Sequence, residues 1–275
     1  MAVIAMTREM GTRGKDVAAS LADELGIDIV HHELVEKHLA DRLNLEESAV
    51  HRFLEGEASL WERWQIDPKR LSRFSSEEIL ERAMRGNVLI RGWGAAQLLR
   101  DVSHVLCVRI CAPMSVRVDE MKRRLGVDDT RAVEREIERN DDAHGRVTQR
   151  QFQTDWRDPT GYHITINTGY VSVDVATGLL RRLLESGACE PSDNSRAQLF
   201  DKLIAARVTT ALDAEFSGSP VGSGLRVTAE NGHVTIQGVV ASKSDYRRLL
   251  EQVREIDGVK SVADETVSIP MNYGV

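Results

Sequence analysis

Apolar residues in the first two thirds of the chain follow two rhythms. Short apolar stretches (Ala2 to Met6, Val88 to Ile90, Val105 to Ile110) have the length and composition of buried strands, and Ile27 to Val30 and His163 to Asn167 read as further short strands. Between them, apolar residues recur every three or four positions, the spacing of one helix face. Val17, Ala18, Leu21, Ala22 and Leu25 form one such set, opening at about Gly14 and stopped by Gly26. Helices are also expected over Leu34 to Leu43, Glu46 to Leu54, Ala95 to Arg100, Ser115 to Leu125 and Ser172 to Leu184. Ser75 followed by Glu78 has the spacing of a capping box, so a helix carrying Ile79, Leu80 and Ala83 is predicted to start there. Strands alternating with helices predict an α/β fold, a mostly parallel sheet with helices on both faces. Ligands of such sheets lie at the carboxyl ends of the strands.

The rhythm changes after Gly187 to Ser195, a small, polar, turn-rich stretch. An amphipathic helix over Ala197 to Phe216 follows, then two alternating strands joined at Asn231-Gly232, a strong hairpin signal. Ser242 caps a helix to Ile256, and Val259 to Ile269 is a last strand. The expected organisation is residues 1–186 as the α/β domain, 187–195 as linker and 196–275 as a small α+β module of order αββαβ.

Composition narrows the classes. Charged residues are 29% of the 275 and aromatics 5%, with a net charge of −7. That balance gives no global attraction to nucleic acid or to an anionic membrane. The three cysteines, Cys107, Cys111 and Cys189, form neither a metal pattern nor a disulfide framework, which fits a reducing compartment. The apolar start is too short for a signal peptide or a membrane span, so a cytoplasmic protein is expected.

Candidate chemistry begins at Thr7-Arg-Glu-Met-Gly11-Thr-Arg-Gly14-Lys15-Asp16. A strand, a glycine turn and a helix with lysine in its first turn form the layout of a phosphate cradle. Backbone N–H groups at the helix start point at the anion and the lysine adds a point charge. The strict phosphate-loop pattern is G-x-x-x-x-G-K-[ST]; here Glu9 replaces its first glycine and Asp16 its metal-binding hydroxyl. A second strand–turn–helix unit carries Arg91, Gly92, Trp93 and Gly94. Between Thr130 and Arg150, Arg131, Arg135 and Arg139 share a helix face, with Arg146 and Arg150 continuing beyond an expected break at Gly145. Two readings stand: a solvated helix balanced by Glu134 and Glu138, or a lid whose arginines close over transferring phosphates. His31-His32 is read as a polar loop and helix cap rather than a metal site, and Trp61 and Trp64 as core or interface.

Residues 1 to about 186 resemble the cytidylate kinase-like family, a branch of the P-loop nucleoside monophosphate kinases. The resemblance rests on Thr7 to Lys15, Leu89-Ile90 with Gly92 and Gly94, Ala112-Pro113, Asp155-Trp156 with Asp158-Pro159, and Ile166-Asn167-Thr168. It implies a P-loop NTPase-type sheet with an Arg-rich helical lid, ATP and Mg²⁺ as cofactors, and γ-phosphoryl transfer to CMP, dCMP or a related nucleoside monophosphate. Gly11, Thr12, Arg13, Gly14, Lys15 and Asp16 would hold the nucleotide, with Asp16 beside the metal and Asp141 or Asp142 as the alternative. Lys15, Arg139, Arg146 and Arg150 would act on the transferring group, and Arg91, Gly92 and Trp93 would meet the acceptor. The family's second turn reads G-R-G; Trp93 takes that arginine's place and Arg91 lies two residues earlier. Residues 196 to about 270 resemble a BON domain, through the αββαβ order, Gly232 to Gly238 and Ile256 to Val262. That resemblance implies a protein or lipid ligand, with an interaction or regulatory role favoured; homo-oligomerisation stays open. The alternative to an active kinase is a nucleotide-binding, catalytically weak regulator that signals through the BON domain.

Overall fold

The computed structural model describes residues 2–30, 46, 68–92, 94–215, 225–240 and 243–268. The expected helices over Leu34 to Leu43 and Glu46 to Leu54, together with His31, His32, Trp61, Trp64, Trp93 and Ser242, lie outside the described residues, Glu46 apart. The chain divides into two compact units, one of residues 1–68 and 85–192, the other of 69–84 and 193–275.

The first unit holds β1 (Val3–Arg8), α1 (Gly14–Leu25), β2 (Asp28–Val30), β3 (Val88–Arg91), α3 (Ala95–Leu99), β4 (Val105–Cys111), α4 (Met114–Leu125), α5 (Thr130–Phe152), β5 (Ile164–Asn167) and α6 (Val173–Glu185). The helix α2 (Pro68–Arg85) enters β3 but has its contacts in the second unit. The five strands are all parallel in the order β2-β3-β1-β4-β5. β1 is therefore the switch point of a doubly wound sheet, flanked by β3 and β4, and the crevice above its carboxyl end is where such folds bind ligands.

The two faces of this sheet differ. Ile4, Met6, Leu106, Val108 and Ile110 pack with Val17, Leu21, Ala176 and Leu180 in an apolar core. Alternate residues point the other way, and there the strands carry Thr7, Cys107 and Arg109, all buried. Burial pushes the Cys107 thiol up to about 12, with Cys189 and Asp101 adding to the effect.

Two sequence expectations are corrected here. α2 begins at Pro68, so Ser75 and Glu78 lie inside a helix rather than at its start. Ser76 Oγ bonds back to the Ser72 carbonyl at 3.0 Å, as an interior serine does. α5 runs without a break through Gly145, because its buried face of Val133, Ile137, Asp141, Ala143 and Thr148 is continuous. Elsewhere the signals hold: Gly26 ends α1 at φ 62°, and Ser172 caps α6 through Val175 N at 3.4 Å.

The second unit contains α7 (Asp193–Glu215), β6 (Arg226–Glu230), β7 (His233–Val240), α8 (Lys243–Arg254) and β8 (Ser261–Ser268). α7 begins inside the stretch expected as linker. β6 pairs antiparallel with β7, and β8 parallel with β7. Ile204, Val208 and Leu212 of α7 pack with Val234, Ile236, Leu250 and Val253. The hairpin turn is pinned by Asp201, whose carboxylate accepts Asn231 N at 2.7 Å and Gly232 N at 2.8 Å. Arg207 of α7 donates to Glu81 of α2 at 2.9 Å.

Candidate active site

The first glycine turn leaves the carboxyl end of β1. Glu9 N extends the sheet by one bond to Ile110 O at 3.0 Å. The chain then turns back on itself: Thr12 N and Thr12 Oγ1 both donate to Glu9 O, at 3.3 and 2.8 Å, and Gly14 N donates to Thr12 Oγ1 at 3.4 Å. Gly11 sits at φ 76°, and a Cβ there would stand 2.5 Å from the Arg117 carbonyl oxygen, so conformation and space both demand glycine. The N-cap residue of α1, Arg13, makes no side-chain capping bond. Lys15 is exposed in the first turn of α1, at the positive end of the helix, a combination that suits an anion. Asp16 is half-exposed and pairs with Arg13 at 3.3 Å, with Arg124 at 4.0 Å.

Arg91 ends β3 opposite Met6 and is buried. Gly92 N donates to Met6 O at 3.0 Å, which ties the second glycine turn to the first strand. Gly94, at φ 66°, lies against the Phe152 ring, where a Cβ would meet Cε2 at 2.3 Å. Arg139, Arg146 and Arg150 are exposed on α5, and Arg139 pairs with Glu136. The turn residues Gly11 to Asp16 are thus contiguous, Arg91 lies one strand away, and Arg139, Arg146 and Arg150 share α5.

Sequence reasoning missed the buried charge network behind the turn. Glu9, standing in place of a glycine, accepts Arg109 Nη2 and Ala112 N (3.2 Å), with Arg117 at 3.6 Å. Arg117 is the hub: Nε donates to the Met10 carbonyl at 2.6 Å, and Nη1 and Nη2 donate to both oxygens of Asp141 at 2.8 Å each. A bidentate, desolvated pair of this kind is geometrically demanding and strongly orienting. Asp141, considered above as a metal ligand, is occupied in holding Arg117, with Arg157 at 3.6 Å as well. The guanidinium groups of Arg109 and Arg157 lie 5.8 and 5.6 Å from the Trp156 ring, against which His144 stacks at 4.1 Å. Burial against that ring lowers the His144 pKa to about 4; Arg8, Arg157 and Arg109 add to the drop and Asp141 opposes it. A usable signal was present: an arginine inside the apolar run Val105 to Cys111 can be buried only with a partner.

The site can be tested against a magnesium nucleotide on its own geometry. The turn offers backbone N–H groups, a helix start and a lysine, which fit phosphate oxygens. Among the described residues no three His, Cys, Asp or Glu side chains gather for a metal.

A parallel sheet with a glycine turn at its switch point and a charge network bracing that turn defines an α/β protein of the class that includes the P-loop kinases. More narrowly, the chain belongs to the cytidylate kinase-like family, whose model matches residues 3–170. The BON domain model matches residues 200–269. The chain is 30% identical over 164 residues to a cytidylate kinase of Aeropyrum pernix, spanning 60% of this chain and 88% of that protein. It is 22% identical over 179 residues to a cytidylate kinase of Pyrobaculum aerophilum, spanning 64% and 89% respectively. A solved structure of an uncharacterized protein from Eubacterium ventriosum superposes with a TM-score of 0.54 at 20% identity, covering 68% of this chain and 99% of that one, and so shares the fold.

Proposed function

We propose that this protein transfers the γ-phosphoryl group of ATP to a nucleoside monophosphate, with CMP or dCMP the first acceptors to test. The observation that carries the reading is the turn Glu9 to Lys15, a braced glycine turn opening directly into the start of α1 with Lys15 exposed in its first turn. The family and the two relatives named cytidylate kinase support it. Phosphoryl transfer asks little covalent chemistry of a protein; it asks for in-line positioning and neutralised charge. The positive start of α1 and the Lys15 ammonium bind and orient the phosphates. Arg91 with Gly92 and Trp93 receives the acceptor, and Arg139, Arg146 and Arg150 supply positive charge from the lid helix. Mg²⁺, when bound with ATP, would neutralise phosphate charge, and Asp16 is the carboxylate this reading assigns beside it. The BON domain serves as an interaction module for a protein or lipid partner in the cytoplasm.

A second reading is a nucleotide-binding regulator with weak turnover. The Arg13–Asp16 pair favours it, since a carboxylate in the first turn of α1 repels phosphate even when partly neutralised. Release of ADP from Mg-ATP, measured across CMP, dCMP, UMP, AMP and GMP, separates the two. Turnover that depends on CMP or dCMP is the expected result. Tight ATP binding with no acceptor-dependent turnover contradicts the kinase and favours the regulator.

A further inference from the structure

The three-stranded sheet of the second unit has the order β6-β7-β8, so β6 and β8 are its edges. An edge strand presents unpaired backbone N–H and C=O groups, and native proteins blunt such edges. β8 is blunted from within its own strand, where Thr266 N donates to Asp264 Oδ1 at 2.9 Å. β6 carries neither proline nor lysine and pairs with β7 in unbroken register.

The hairpin fixes which groups of β6 stay open. Asn231 and Gly232 have φ of 52° and 81°, as a two-residue type I′ turn requires, and Glu230 pairs with His233 across it. The pair flanking such a turn exchanges both backbone bonds, and bonded pairs alternate from there. Glu230, Thr228 and Arg226 therefore bond to β7, while the N–H and C=O groups of Val227 and Ala229 point to the free edge. Those groups have no partner among the described residues. A groove of about 420 Å³ runs between this edge and α7, lined by Ala197, Gln198, Asp201, Val227 and Ala229 among others.

The side chains of β6 say what can enter. Arg226, Thr228 and Glu230 are exposed, and neither charge has an ion-pair partner among the described residues. Set antiparallel to itself, Arg-Val-Thr-Ala-Glu is self-complementary. Thr228 meets Thr228 of a second copy, Arg226 meets Glu230 of that copy, and Val227 lies opposite Ala229. A two-fold axis through Thr228 generates this register, so the contact closes on itself. It brings the open groups of Val227 and Ala229 into bonded pairs. The Arg226–Glu230 and Thr228–Thr228 pairs are then the non-bonded ones, whose side chains approach most closely. The same operation about the middle of β8 would set Asp264 against Glu265, like charge against like.

We propose that this protein forms a two-fold dimer through β6, which joins the small sheets of two copies into one. The edge is only 5 residues long, so the contact belongs to the small, weak class, with a dissociation constant on the order of 10 μM. The dimer gives the interaction module proposed above a partner, yet it stands on the geometry of β6 and holds whether or not the protein transfers phosphate.

Sedimentation velocity of the full chain, without nucleotide and from about 1 to 100 μM, tests it. A monomer–dimer equilibrium is expected. Arg226→Glu and Glu230→Arg each place like charges across the axis, and each should weaken the dimer about tenfold or more. Mixed in equal amounts, the two variants should pair with each other, because every contact across the axis is again between opposite charges. Both positions are exposed, so the fold should survive, which circular dichroism checks; if one variant misfolds, the other decides alone. Three results would overturn the proposal: a monomer throughout the range; a dimer that the single reversals leave unchanged and that therefore uses another surface; or mixed variants that associate no better than either alone.

Discussion

Arg117 joins two parts of the site that are far apart in sequence. It holds the Met10 carbonyl of the first glycine turn and approaches its neighbour Glu9, and it grips Asp141 of α5 with both terminal nitrogens. Arg117→Ala should therefore cost about 3–5 kcal/mol of stability in urea unfolding, because it strands Asp141 as a buried charge. Arg117→Lys should recover only part, since an ammonium cannot reproduce the fork. His144 gives a pH signature. Its pKa is near 4 when folded against about 6.5 when unfolded, so the unfolded chain binds the extra proton between these values. The stability it contributes is complete above pH 6.5 and is lost as pH falls toward 4, by up to about 1.4 kcal/mol per unit. Unfolding curves at pH 7, 5.5 and 4.5 should show this slope in wild type and a shallower one in His144→Phe. At this scale Gly11, Gly14 and Lys15 were legible, because a turn and its helix are local. Glu9 with Arg109 and Arg117 with Asp141 were not, since partners 100 and 24 residues apart leave no local pattern.

The helix α5 shows how packing overrides a local breaker. Glycine costs about 0.5–1 kcal/mol in a helix interior relative to alanine, yet Gly145 sits within 23 unbroken helical residues because the flanking buried positions keep one face. A Cβ at Gly145 would meet Trp156 Nε1 at 3.4 Å, an ordinary contact, and its φ is not positive. Gly145→Ala should accordingly raise the thermal midpoint by roughly 1–4 °C. Gly94→Ala should do the reverse, losing about 1–3 kcal/mol, because the new methyl at positive φ collides with Phe152. The strands and most helix ends were readable from apolar runs and glycine stops. The extent of α2 was not: a serine–glutamate spacing mimics a cap wherever it falls, and here it lies inside a helix already running from Pro68.

For the whole molecule, the alternation of strand and helix was enough to expect a parallel α/β sheet followed by a small α+β module. The grouping of α2 could not be read, because residues 69–84 lie inside the family match yet cluster with residues 193–275. A chain ended at residue 192 keeps α2 but removes the rest of its unit, including Arg207, the partner of Glu81. It should melt below the full chain and bind more hydrophobic dye; an unchanged midpoint would contradict this grouping. No helix among the described residues is long and apolar enough to cross a membrane.

The central claim is that the turn from Gly11 to Lys15 holds the phosphates being transferred. The most direct test is kcat/KM for the best acceptor in wild type and Lys15→Ala, with thermal midpoints measured alongside. Lys15 is exposed, so the fold should survive the substitution. A fall of about a hundredfold or more, the scale of removing one positioned charge from a transition state, is the predicted result. Turnover left intact in a folded Lys15→Ala would mean that this turn is not where the phosphates lie.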